Sequence, residues 1–280
     1  MESPFGFTLD QESPLTRLSR ALGRVLAASL VAGTTISRAA AQTARDHVAL
    51  GNGAMQVHDL RTALAHYQAA LALDSTDYEA NWRASIALLD EGEQIPDSIH
   101  SPERDSLYAR AERLARRAVA ADSMGADGHF ALAASVGRAS LTMGKKERIR
   151  RASIVRDEAL RTIALNPRHD GAYHILGRWN AEIMRLSGLS RFFAKSLLGA
   201  GVFKQASWDA AISNMERAVA LDPGRLYHRL ELAQIYVDRK RYDDARAQLR
   251  ELDSLPDREI MDSVYRRQAH ALEAKIAGKH

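Results

Sequence analysis

The most informative absence in this 280-residue chain is cysteine, of which it has none. Without thiols the protein cannot form a disulfide framework, use a thiolate nucleophile or bind a metal through sulfur. Aromatic residues make up only 6% of the chain, and no segment shows the alternating pattern of a strand. The formal net charge of +4 is a weak excess, compatible with anionic partners but not requiring them. These absences favour an all-α chain of close-packed, alanine-rich helices.

Long apolar runs are also lacking, with one short exception near the N-terminus. There a basic region precedes an apolar run and a small-residue cleavage motif: Arg17, Arg20 and Arg24, then residues 25–36, then Ala39, Ala40 and Ala41. The run is shorter than the roughly 20 apolar residues that a spanning helix needs. The pattern predicts a signal peptide over residues 1–41, cleaved before Gln42, and a periplasmic or secreted protein without a transmembrane segment in the mature chain. An uncleaved anchor and a disordered tail are the alternatives.

A helix-turn-helix pattern recurs along the remainder of the chain. Between residues 166 and 256 it is plainest, with Leu176 and Gly177 on a first helix, Ala211 and Ala218 on a second, and Pro223 ending the pair. The small residues let the two helices approach closely, and proline cannot continue a helix. Small and large apolar residues at fixed places over about 34 residues are typical of tetratricopeptide repeats. We therefore expect Gly177 to lie against Ala211.

Five such repeats make up one predicted superhelical solenoid domain over residues 42–280. Their predicted bounds are residues 44–77, 78–125, 126–169, 170–225 and 226–257, followed by a capping helix over residues 258–276. Three repeats are longer than the standard period. The extra residues are expected as a solvated loop over residues 90–104, a lengthened helix over residues 144–151, and an insert over residues 183–207.

Several local motifs resemble those of the regulator of microtubule dynamics family. The carrying features are Trp82-Arg83-Ala84, Asn166-Pro167, the stretch 176–179, Leu186-Ser187 leading into residues 197–199, and the final repeat over residues 232–256. The likeness covers residues 44–276. It implies a helical-repeat fold and, from some animal members, microtubule association, organelle contacts and lipid binding. Because the N-terminus resembles an export signal, only a groove for a chain-like ligand is expected to carry over.

Signatures of catalysis, metal binding or nucleic-acid binding are not found. None of the ten histidines stands in a metal-ligand spacing, and no H-E-x-x-H, G-x-S-x-G or P-loop occurs. The basic run from Lys145 to Arg156 has no interleaved aromatic for base stacking, so a solvated helix face is expected instead of a nucleic-acid site. We expect no catalytic residue, no metal and no cofactor.

The concave side of the solenoid is the predicted binding surface. Its candidate residues occupy two equivalent positions of the first helices: Val48, Trp82, Phe130, His174 and Leu230, and then Ile86, Arg178 and Gln234. This groove is mostly apolar, with one cation at Arg178, and it lacks the Lys and Asn residues that clamp a terminal carboxylate. The alternative is a groove that the inserts fill.

The insert over residues 183–207 carries apolar residues at helical spacing, among them Phe192, Phe193, Leu197 and Leu198. A fixed plug in the groove, a lid over a ligand and a membrane-contact element are the three interpretations. Taken together, the sequence predicts a non-enzymatic scaffold that holds a protein partner in its groove. The alternative is a carrier of an apolar ligand such as a lipid, facing Trp82, Phe130 and Arg178.

Overall fold

The computed structural model describes residues 42–96, 99–141, 143–186 and 206–279. Over these residues the chain forms eleven α-helices and no strand, which confirms the all-α prediction. In chain order they are α1 (42–56), α2 (Leu60–Leu73), α3 (Tyr78–Glu93), α4 (Pro102–Ala121), α5 (Ala126–Leu141), α6 (Lys145–Leu165), α7 (Asp170–Arg185), α8 (Trp208–Leu221), α9 (Leu226–Asp238), α10 (Tyr242–Ser254) and α11 (Asp262–Ile276). None of the described helices is both long enough and apolar enough to cross a membrane.

Short polar side chains fix where several helices begin. The carboxylate of Asp59 accepts a hydrogen bond from the backbone N–H of Thr62 at 3.0 Å and so caps α2. Asp77 caps α3 in the same way, and Ser207 caps α8. These caps satisfy backbone donors that have no partner within the first turn.

The predicted solvated loop over residues 90–104 is wrong at both ends. Helix α3 continues to Glu93, and α4 already begins at Pro102. Ser101 caps α4 and proline occupies its first turn, a combination that starts helices. Arg104 is buried and donates to the backbone oxygen of Pro96 at 2.7 Å, so it ties the short loop to α4. The extra residues of this repeat therefore lengthen α4, which has 20 residues against 14 in α2, and form the connection over residues 94–101.

The helices form two layers. Neighbouring first helices of the repeats contact one another in the series α3, α5, α7, α9 and α11, while the second helices α4, α6, α8 and α10 pack against their own first helices. The first-helix layer is the inner, concave one, because all five of these helices line a central cavity, to which the first turns of α6 also contribute. This is the arrangement of a helical-repeat solenoid, in which each repeat contacts mainly its neighbours.

Small residues set the spacing between the two layers. A Cβ atom added to Gly177 would lie 2.9 Å from Met215 Cε and 3.1 Å from the backbone oxygen of Ala211. The predicted contact between Gly177 and Ala211 is therefore confirmed. The same device recurs in the first repeat, where a Cβ on Gly51 would lie 2.5 Å from the ring of Tyr67.

The superhelix curves far enough to bring its two ends together. Tyr265 of α11 donates a hydrogen bond to Glu93 of α3 at 3.3 Å. His58, after α1, lies 3.0 Å from the backbone oxygen of Arg258. Ile260 packs against the cores of both the first and the last repeats. The C-terminal segment thus closes one side of the concave surface.

Two predicted features lie outside the described residues. One is the signal peptide over residues 1–41. The other is most of the insert, including Phe192, Phe193, Leu197 and Leu198. Helix α7 ends at Arg185, and the described chain resumes at Ala206.

Candidate functional site

The closed curvature creates a cavity of about 490 Å³ on the inner side of the solenoid. Its walls come from α3, α5, α6, α7, α9, α11 and the loop before α11. A volume of this size lies within the range of small-molecule and cofactor pockets. We call it the inner cavity.

One wall of the inner cavity is apolar. Its side chains come from α3, α5, α6 and α7: Ile86, Phe130, Ile149, Val155, Trp179 and Ile183. Trp179 is held in place because its ring N–H donates to the backbone oxygen of Ala152 at 2.7 Å. The N-terminal turns of α6 contribute Arg148 and Ile149. The lengthened start of α6 is therefore a cavity wall and only partly the solvated face that the sequence predicted.

The other part of the cavity wall carries buried charges of both signs. Arg138 and Glu93 form an ion pair with N–O distance 2.6 Å, and their side chains retain only 15% and 13% exposure. Arg178 donates to the hydroxyl of Tyr227 and lies 3.8 Å from the carboxylate of Glu231. Arg178 lines the cavity, and its side chain keeps 29% exposure.

A hydrogen-bonded series of three side chains, two of which line the cavity, runs along this wall. Asp170 Oδ2 lies 2.8 Å from His228 Nε2, and the two Nδ1 atoms of His228 and His174 lie 3.0 Å apart. Arg225 joins the series through Asp170 at 2.7 Å. The ring of Tyr227 packs at a tilt against His174, with centroids 4.1 Å apart, and stacks on Tyr265 at 4.6 Å.

The burial of these groups shifts their pKa values. Burial lowers the pKa of His174, and the positive charges of Arg178, Arg225 and Arg138 lower it further. Burial also lowers the pKa of His228, although its hydrogen bond with Asp170 opposes this shift. Both imidazoles are therefore neutral at pH 7.

The carboxyl groups around the cavity shift in different directions. Burial raises the pKa of Asp90, and the negative charges of Glu93 and Glu259 raise it further. Burial acts to raise the pKa of Asp170 as well, but the hydrogen bond with His228 and the charge of Arg225 outweigh it and hold that pKa below its ordinary value. One carboxyl therefore favours the neutral form and the other the charged form.

The inner cavity brings together four of the eight predicted groove residues, namely Ile86, Phe130, His174 and Arg178. The other four are placed elsewhere. Val48 is buried against Ala44, Ala70 and Ala80, and Leu230 belongs to the core of the last repeats. Trp82 packs beside Leu132 under the guanidinium of Arg83. Gln234 donates to Asp238 at 3.3 Å.

The physical reason is the curvature of the superhelix. The cavity forms where the inner helices of the middle repeats face the C-terminal segment, so equivalent positions in the first and last repeats fall outside it. Trp82 lies at the start of α3, whereas the cavity is lined by the C-terminal half of that helix. A residue's position within its repeat therefore predicts whether it lines the cavity only for the repeats near the middle of the solenoid.

The sequence did not identify most of the charged cavity wall. Asp90, Glu93, Arg138, Arg225, Tyr227, His228, Glu259 and Tyr265 all line the cavity. A signal was present for the first two, since Ile86, Asp90 and Glu93 recur at helical spacing and share one face of α3. The contributions from Glu259 and Tyr265 come from chain closure and have no local signal. Over the described ranges, no cluster of histidine and carboxylate side chains has a geometry that could hold a metal ion.

Solved structures with the same fold include two bacterial proteins. The thermophilic TPR protein TTC0263 of Thermus thermophilus is 18% identical, with a TM-score of 0.57, covering 82% of this chain and 99% of that one. PilF of Pseudomonas aeruginosa is 14% identical, with a TM-score of 0.50, covering 85% of this chain and 92% of that one. At these identities the likeness shows the fold alone, a tetratricopeptide-repeat solenoid.

Comparison at the level of sequence is more specific. No curated protein matches the chain. The family model described as regulator of microtubule dynamics protein 1-3 matches residues 48–277. This range includes every helix that lines the inner cavity. Since the match spans most of the sequence, the chain belongs to the regulator of microtubule dynamics family.

Proposed function

We propose that the protein is a non-enzymatic scaffold that holds a short segment of a partner protein in the inner cavity. The observation that carries this proposal is the composition of the cavity, whose lining combines apolar side chains with charged and hydrogen-bonding groups. A polypeptide segment offers both apolar side chains and backbone amide groups, so it can use both walls. Helical-repeat solenoids generally bind partners on their concave surfaces.

The cavity is suited to binding because much of its polar wall is already ordered. Arg138 is paired with Glu93, and Arg225 is paired with Asp170 and Glu259. A segment that enters the cavity therefore does not need to order these side chains, which lowers the entropic cost of association. The guanidinium of Arg178, which keeps part of its surface, is the group on this wall that we expect to contact a backbone carbonyl or carboxylate.

Site-specific photo-crosslinking in the native host tests this proposal. A photoreactive residue at Ile149, inside the cavity, is compared with one at the exposed Ala120 on α4. We expect a discrete crosslinked protein from the cavity position only, with the crosslink confined to one segment of that partner. Identical crosslinking patterns from both positions, or none from the cavity, would contradict the proposal.

The alternative is a carrier of an apolar ligand, for which the apolar wall with Phe130 and Trp179 is the supporting observation. Native mass spectrometry of the freshly purified protein separates the two functions. A co-purified lipid of defined mass, lost in an Ala134→Trp variant that fills the cavity, supports the alternative. A protein free of small ligands that still crosslinks to a partner segment supports the scaffold.

We also propose that binding takes place after export, in the periplasm or outside the cell. The support is the basic, apolar and small-residue order of residues 1–41. The intact mass of the protein recovered from the envelope or medium should correspond to a chain that begins at Gln42. Recovery of the uncleaved chain from the cytoplasm would contradict this proposed location.

A further inference from the structure

The hydrogen-bonded series of Asp170, His228 and His174 fixes the position of each proton. A carboxylate oxygen can only accept, so His228 Nε2, at 2.8 Å from Asp170, must carry a hydrogen and donate it. In the neutral imidazole of His228, Nδ1 is then an acceptor. His174 Nδ1, which lies 3.0 Å away, must therefore carry the hydrogen of that second bond.

This assignment leaves Nε2 of His174 as a bare lone pair. Among the described residues no group donates a hydrogen bond to it. His174 is only 4% exposed and its Nε2 has almost no accessible surface, although the residue lines the inner cavity. Because the two nitrogens of an imidazole point in roughly opposite directions, Nε2 points away from His228. A buried acceptor without a donor is costly, and an ordered water or a bound molecule that donates a hydrogen bond removes that cost.

The surrounding charges restrict which donor fits. Arg178, Arg225 and Arg138 all lie near enough to disfavour a positive charge on His174. The same field disfavours an ammonium group as the donor. A carboxylate or a phosphodiester, both charged at neutral pH, has no hydrogen to offer to the lone pair. A neutral hydroxyl or amide N–H satisfies both conditions.

We propose that the molecule held in the inner cavity donates a neutral hydrogen bond, from a hydroxyl or an amide N–H, to Nε2 of His174. This inference rests on the proposed function and specifies the chemistry of the bound segment. The segment carries serine, threonine, tyrosine, asparagine or glutamine, or a free backbone N–H, at the end that reaches His174, with apolar groups against Ile86 and Phe130. Aspartate, glutamate, lysine and arginine are disfavoured at that place.

The first test reads the tautomer directly. In ¹⁵N-edited NMR spectra of the ligand-free full chain at neutral pH, His174 should show Nδ1 protonated and Nε2 unprotonated. His228 should show the opposite tautomer, with Nε2 protonated. A His174 ring that carries its hydrogen on Nε2 would overturn the proposal, and this measurement needs no variant.

The second test uses the probe pair p-cresol and p-xylene, which differ only by a hydroxyl in place of a methyl group. We expect p-cresol to bind the full chain about threefold to tenfold more tightly, the value of one net hydrogen bond. It should also shift the His174 ¹⁵Nε2 resonance. In His174→Phe the two probes should bind equally, and in His174→Gln, which retains an acceptor, the preference should return.

Equal binding of both probes to the wild-type protein, or failure of p-cresol to bind, would overturn the proposal. Melting temperature and near-ultraviolet circular dichroism show whether His174→Phe remains folded; if it unfolds, the tautomer measurement decides alone. Crosslinking from Ile149 does not depend on this hydrogen bond. If a partner segment crosslinks normally while p-cresol and p-xylene bind with equal affinity, this inference is wrong and the scaffold proposal still stands.

Discussion

At the residue scale, the fold depends on small side chains where first and second helices meet. Gly177 lies against Met215 and the backbone of Ala211, and Ala211 and Ala218 have no exposed surface. The sequence could predict this contact because it joins two helices of one repeat, so the pattern of small residues records it locally. The same reasoning could not predict the His174–His228 contact, because it joins different repeats.

Ala211→Leu should overpack the contact with Gly177. The added atoms meet backbone on the facing helix, which cannot rotate away as a side chain could. We expect the free energy of unfolding to fall by about 1–3 kcal/mol, measured by urea denaturation. Ala220→Leu is the matched control, since Ala220 is exposed on the same helix. Equal stability of the two variants would show that the helices do not meet as described.

The buried histidines should make stability depend on pH. Their pKa values in the folded protein lie below the ordinary value. Below about pH 6.5 the unfolded chain therefore binds protons that the folded chain does not. Stability is fully present above that pH and falls as the pH decreases, by at most about 1.4 kcal/mol per pH unit for each histidine. Protonation of His174 would bring it into repulsion with Arg138, Arg178, Arg225 and a charged His228.

Urea denaturation at about pH 7.5 and about pH 5.5 measures this dependence. The pKa of Asp90 is raised, so its contribution runs in the opposite direction as the pH falls. The informative quantity is therefore the difference between the wild-type protein and His174→Gln, which lacks one titrating group. The wild-type protein should lose more stability than the variant. An equal loss in both would contradict the account of His174.

At the scale of the element, the type of each structure was predictable and its boundary was not. The region between α3 and α4 is rich in Asp, Glu, Ser and Pro, a composition that predicts a solvated loop. The region is polar because charged side chains at the facing ends of α3 and α4 lie there. Glu93 of α3 lines the cavity, and Arg104 of α4 binds the backbone of the loop. Polarity indicates a loop only when the charged residues remain in water. The start signal Ser101-Pro102 was the better guide.

Helix α11 packs on the side of the last repeat that has no following repeat to cover it. Leu272 and Ile276 are buried in the same core as Leu232 and Ile235 of α9. Leu272→Ala should lower the free energy of unfolding by about 2–5 kcal/mol, because it removes buried methyl groups and leaves a cavity. Glu273→Ala, an exposed neighbour, should have little effect. A stability loss below about 0.5 kcal/mol for Leu272→Ala would show that α11 is not part of the core.

At the scale of the whole molecule, closure of the superhelix creates the candidate site. Tyr265 reaches Glu93 and His58 reaches the backbone of Arg258, contacts that join opposite ends of the chain. Curvature accumulates from a small rotation at each repeat. No local sequence pattern encodes this total curvature. The sequence therefore predicted a groove along all repeats, whereas the structure has a cavity at the middle repeats. Half of the predicted groove residues line it for this reason.

The most direct test of the central claim measures the binding of the partner segment identified by crosslinking, as a synthetic peptide, by isothermal titration calorimetry. Three proteins are compared: the wild type, Ala134→Trp, which fills the inner cavity, and Ala120→Trp, which adds the same side chain to the exposed face of α4. We expect Ala134→Trp to weaken binding by at least about tenfold, or 1.4 kcal/mol, and Ala120→Trp to leave it unchanged. Equal affinity of Ala134→Trp and the wild type would show that the segment binds elsewhere and would contradict the account.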